Sequence, residues 1–122
     1  MLNYKNVMAL NALMAFIYGF GSLLIPLQFW GLFGMDVSGE GIWGLRDIGL
    51  LVISNMYIVW SSRGLTDQSG RRLVANFVVM VWALFGVISL WGQFSGDFNA
   101  LNWANVVGSA FFAIITFMVR SE

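Results

Sequence analysis

Four stretches of this chain hold no charged side chain: residues 6–35, 48–62, 73–96 and 98–119. A helix rises 1.5 Å per residue, so about 20 residues cross a hydrocarbon core of about 30 Å. Each stretch is long enough, the second once it extends outward through Arg46 and Asp47. Backbone groups in lipid have no water to bond, so they must be satisfied within a helix or a closed barrel. The alternating pattern and eight or more strands of a barrel are absent. The expected spans lie near 6–26, 42–62, 73–92 and 100–119. The predicted fold is therefore all-α, one integral membrane domain forming a bundle of four transmembrane helices.

Composition points the same way. Of 122 residues, 59% are hydrophobic and 10% charged, against about 25% charged in soluble domains. A soluble chain this short must clothe a small core in a large polar surface, and six basic plus six acidic residues do not suffice. Two zeros restrict the chemistry further. Without cysteine there is no disulfide, thiolate nucleophile, iron–sulfur cluster or Cys-type zinc site. Without histidine, the commonest general base and metal ligand are missing. No His- or Cys-ligated cofactor is thus expected within the chain, which leaves lipid, quinone or pigment contact open. With zero net charge, no nucleic-acid partner is expected.

Orientation follows from the basic residues. Lys5 precedes span 1, Arg63, Arg71 and Arg72 separate spans 2 and 3, and Arg120 follows span 4. Asp36, Glu40 and Asp97 occupy the other side, where Arg46 is the single candidate cation. Five basic residues against one, in short loops, predict cytoplasmic termini by the positive-inside rule. The expected location is the cell membrane, crossed four times. Span 1 reads as an uncleaved signal anchor, being longer than a signal-peptide apolar region and lacking an A-x-A site. The inner turn, SSRGLTDQSGRR at 61–72, is loop-like. Beyond Pro26, the rings of Phe29, Trp30 and Phe33 predict a short interfacial helix on the outer surface, since aromatic side chains favour the headgroup boundary. Trp43, Trp60, Trp91 and Trp103 fall near predicted span ends. The outer sequence DVSGE at 36–40 lacks the downstream Glu of a calcium loop and reads as a solvated turn.

Polar residues within the spans form stripes. Asn102, Asn105, Ser109 and Thr116 share about 60° of arc on span 4 at 100° per residue. Asn11, Ala15, Tyr18 and Ser22 share a face of span 1, span 2 offers Arg46, Gly49 and Tyr57, and span 3 offers Asn76, Ala83 and Gly86. The pairs Ala15/Gly19 and Ala104/Gly108 permit close helix approach. The simple expectation is that these faces point inward and hold the bundle together; the other is a lined cavity or polar path. Arg46 and Asp47 stand apart, because a charge at mid-bilayer costs at least about 2.5–3.5 kcal/mol. Arg46 has three readings: snorkelling to lipid phosphate, a buried structural contact, or binding and proton handling. Arg46, Asp47, Tyr18, Tyr57, Asn102 and Asn105 are therefore the candidate polar cluster, functional or structural.

From Pro26 to Gly49 the chain reads PLQFWGLFGMD…GEGIWGLRDIG. This resembles the small four-helix bacterial membrane proteins grouped as DoxX-like, in which a proline ends helix 1, an "lfG" outer segment follows, and R-x-x-G opens helix 2. The matching residues are Pro26, Leu32, Phe33, Gly34, Arg46 and Gly49. The resemblance covers the first half as a motif and the remainder as hydropathy. It implies an accessory role near a membrane oxidoreductase, without supplying a catalytic residue. The expectation is a non-catalytic accessory or structural subunit of a larger membrane complex, with the lipid bilayer and other membrane subunits, or further copies of itself, as partners. The alternative is a small oligomeric transporter or channel using Asp47 and Arg46. An enzyme or redox carrier would need a bound quinone or lipid substrate, with Tyr18, Tyr57, Arg46 or Asp47 taking part.

Overall fold

A computed structural model describes residues 1–122 as an all-helical chain. Helix α1 (Tyr4–Leu24) opens on Asn3, whose side chain accepts from Asn6 N at 2.9 Å. Proline fixes its own φ, lacks an N–H and disfavours helical backbone just before it. Accordingly Ile25 leaves the helix (φ −134°, ψ 55°), and Pro26 starts the short α2 (Pro26–Gly31) at a position where no donor is needed. Helix α3 (Glu40–Ser61) runs on through a 3₁₀ turn to Gly64. Asp67 caps α4 (Gln68–Phe94) by accepting from Gly70 N at 2.7 Å, and α5 (Trp103–Val119) follows the 3₁₀ turn Ala100–Asn102. The four long elements each hold an 18-residue stretch of mean hydropathy 1.8, 1.4, 2.4 and 1.5 in chain order, and are long and apolar enough to cross a membrane.

Two boundaries differ from expectation. Span 1 stops at Leu24 because Pro26 begins a new helix. Span 3 begins at Gln68, since the Asp67 cap starts the helix one turn before its apolar part and puts Arg71 and Arg72 on it.

Helix α1 packs along α3, and α4 along α5; α1 also meets α5, whereas α3 and α4 barely touch. The first pairing depends on two glycines. A Cβ built on Gly49 would lie 2.7 Å from Gly19 O and 2.8 Å from Leu23 N. One on Gly19 would lie 2.8 Å from Ile53 Cγ1 and 3.3 Å from Gly49 O. Backbone thus meets backbone, the close approach that small residues allow between membrane helices. On the α4–α5 side, Gly86 faces Ser109 and the ring of Phe98 covers Gly92.

At the end bearing both termini the core is Tyr4, Val7, Met8, Ala12, Val59, Ala75, Val78, Ile115 and Val119. The Tyr4 hydroxyl and the Ser62 hydroxyl are hydrogen-bonded at 3.1 Å, and Tyr4 N donates to Glu122 Oε1 at 2.8 Å. Lys5, Arg63, Arg71, Arg72 and Arg120 belong to this end. Arg63 Nε donates to Lys5 O at 3.3 Å, and the Arg71 guanidinium lies 4.9 Å from the Tyr4 ring centre.

The opposite end carries the expected short helix, α2, with its larger rings turned into the bundle. Trp30 and Phe33 are each only 8% exposed and cluster with Leu45, Tyr18, Phe29 and Phe85. The rings pack into the end of the bundle remote from the termini, because the chain turns at Pro26 and brings Trp30 back over Ser22. Trp30 Nε1 donates to the buried Ser22 hydroxyl at 2.9 Å, which removes the polar reason for an indole to seek the interface. The two connections at this end are tied together by Asn99, whose N and Nδ2 donate to Phe33 O and Leu32 O at 2.8 and 2.9 Å. Gly34 (φ +87°) permits this, since a Cβ there would lie 2.7 Å from Asn99 N.

Candidate functional site: a bonded polar core beside a lateral groove

Helix α5 and the 3₁₀ turn before it present their polar stripe inward as expected: Asn102, Asn105, Ser109 and Thr116 are all buried. Their partners come mainly from the opposing faces of α1 and α4. Asn11 Nδ2 donates to Thr116 Oγ1 and to Val7 O, each at 3.0 Å, while its Oδ1 accepts from Trp82 Nε1 at 2.7 Å. About two turns further along α1, the Tyr18 hydroxyl donates to Asn105 Oδ1. Asn105 Nδ2 donates to Asn102 Oδ1, and Asn102 Nδ2 donates to Ser89 O and Gln93 Oε1, all at 3.0 Å. Ser109 Oγ donates to Asn105 O at 2.5 Å. Contacts of this kind are worth about 0.6 kcal/mol each on average and about 1.7 at most. Their sum holds α1, α4 and α5 in register.

Among the six candidate residues, the fold brings Tyr18, Asn102 and Asn105 into one chain and leaves Arg46, Asp47 and Tyr57 outside it. Tyr57 is 73% exposed, so the expectation that it faces inward with Gly49 is corrected. Only the Gly49 face of α3 is covered by α1, and Tyr57 lies about 80° round from it at 100° per residue. Asn76, Ala83 and Ala104 are likewise exposed, and nothing lies within 4 Å of a Cβ built on Gly108. Arg46 is half-buried, with its guanidinium 4.8 Å from the Trp43 ring centre and its buried Nε without a hydrogen-bond partner. Asp47 is exposed on the outward side of α3.

Where α3 and α4 diverge, a groove of about 140 Å3 opens between α1, α3 and α4. Fifteen residues line it and twelve are hydrophobic, among them the aromatic rings of Tyr18, Trp30, Phe77, Trp82 and Phe85. Asn11 and Ser22 face it with their hydrogen bonds already made. Asn55 also lines it, half-buried, and its carboxamide has no hydrogen-bond partner in the chain. Sequence reasoning passed over Asn55; the signal was an amide near the middle of an apolar span. No three acidic side chains converge on one point, as a metal centre would need. Comparison of the chain with family models, curated proteins and solved structures gives no match in any of the three.

Proposed function

We propose that this chain is a non-catalytic accessory subunit of a larger bacterial inner-membrane complex, with both termini cytoplasmic. The supporting observation is the uncovered side of α3. Gly44, Asp47, Leu51, Ser54, Ile58 and Ser61 recur at alternating spacings of three and four residues, and all six are exposed. That is the seam spacing of packed helices, and it lies opposite Gly49, the residue that seats α3 on α1. Helix α4 turns a different surface outward, built of Leu84, Val87, Ile88 and Trp91, which suits lipid alone. Asp47 lies one turn inside Trp43, and a carboxylate facing hydrocarbon at that depth is costly. The fitting occupant is a transmembrane helix of another subunit carrying a Lys, Arg or amide side chain at the same depth. Two copies of α3 related by an axis along the membrane normal would instead set Asp47 against Asp47. The DoxX-like resemblance supports a redox or energy-converting complex as the assembly.

The transporter alternative draws less support, because Asp47 points away from both the groove and the bonded core. Native mass spectrometry of the complex extracted in mild detergent tests the subunit reading. A heteromer of fixed stoichiometry is expected, and Asp47→Leu is expected to release a folded single chain. Removing one side of a buried charge pair costs about 2 kcal/mol or more, roughly a thirtyfold weakening. A lone monomer from both proteins would overturn the proposal.

A further inference from the structure

We propose that the groove between α1, α3 and α4 binds a neutral membrane-soluble molecule made of one oxygenated ring on an apolar tail, a quinone- or quinol-type isoprenoid. Asn55 would bond the ring oxygen. The site lies on a different flank of α3 from the Asp47 seam and does not depend on the subunit reading.

Size comes first. A dry apolar cavity of about 150 Å3 accommodates one benzene-sized ring, and the groove measures about 140 Å3. The walls are built in advance: Trp82 is stacked on Phe112 at 5.0 Å and tied to Asn11, and Trp30 is tied to Ser22. Rigid, mostly apolar walls with few polar groups are what small-molecule sites share.

Polarity then selects among membrane molecules. Asn55 offers both a donor and an acceptor where water is scarce, so a ring carbonyl or hydroxyl satisfies it. A phospholipid acyl chain has no oxygen at that depth, because its ester and charged headgroup stay at the surface, and it would leave the amide unpaired. No charged side chain lines the groove, which suits a neutral ligand. The gap between α3 and α4 gives the tail an exit into the bilayer.

The test is a titration of the detergent-purified full chain with decylubiquinone, followed by tryptophan emission. Trp30 and Trp82 line the groove, whereas Trp43, Trp60, Trp91 and Trp103 are exposed. Quinone dissolved in the micelle quenches the outer four without saturating. The proposal expects an added saturable component at one equivalent per chain, at least tenfold tighter than competition by decylbenzene, which has the ring and tail without oxygens. Asn55→Leu should weaken quinone binding about tenfold and leave decylbenzene unchanged. Val52→Phe, which fills the groove, should remove the saturable component while thermal unfolding stays cooperative. Linear quenching alike in all proteins overturns the site. Equal affinity for decylbenzene and decylubiquinone in the parent protein overturns the assignment of an oxygenated ring, whether or not either variant folds.

Discussion

Gly49→Leu is expected to prevent α1 and α3 from closing on each other, destabilising the bundle by about 3 kcal/mol or more. Overpacking usually costs about 1–3 kcal/mol, with the larger values where the surroundings cannot move. Here they cannot. Even a Cβ at Gly49 meets the carbonyl oxygen of Gly19 and the backbone nitrogen of Leu23 under 3.0 Å away, so a helix axis must shift. That shift would also part Leu45 from the outer aromatic cluster, as both residues lie on the same face of α3. Gly108→Ala is the control on α5, where a Cβ meets open space. It should leave stability unchanged or raise it by about 0.5–1 kcal/mol through the lower backbone entropy of alanine. SDS-titration unfolding of the purified proteins measures both. Equal stability of Gly49→Leu and the parent would mean that α1 and α3 do not cross at these glycines.

Trp30→Ala is expected to cost about 3 kcal/mol and to loosen the outer end of the bundle. Truncating a buried aromatic side chain costs about 3–5 kcal/mol through lost transfer energy and the cavity left behind. The lower end applies because α2 is short and the mouth can partly collapse. Trp30→Phe keeps most of the ring but leaves the Ser22 hydroxyl without its donor, and about 1 kcal/mol is expected. The contrast between the two separates a plug from an interfacial anchor. A ring lying among headgroups would make either change nearly silent in unfolding. Hydrogen exchange should show the loss concentrated in residues 26–37 and at the start of α3.

The spans were legible because charge is so scarce that its gaps alone outline four helices. The inward face of α5 was legible as well, since its polar residues are spaced by three, four and seven and have no stable place in lipid. Helix α3 misled because its buried face is marked by the missing side chain of Gly49, while Tyr57 and Arg46 share a flank that no helix covers. Periodicity reports which residues lie together; it does not report which side has a neighbour. The aromatic run after Pro26 carried the same ambiguity, as Phe29, Trp30 and Phe33 suit a membrane interface and a core equally well. What decided between them was the chain reversal that brings Trp30 over Ser22. The groove depends on α3 and α4 standing apart, a fact of helix order that pairwise spacing in the sequence does not encode.

The account depends most on the chain passing through the bilayer four times with its basic end inside. Because there is no cysteine in the chain, single-cysteine variants at exposed serines give a clean topology map. Ser38→Cys, Ser69→Cys and Ser121→Cys are to be labelled with a membrane-impermeant maleimide in intact cells and in inverted vesicles. The account predicts that Ser38→Cys reacts only in cells, and that Ser69→Cys and Ser121→Cys react only in inverted vesicles. Labelling of Ser38→Cys and Ser121→Cys from the same side would contradict it.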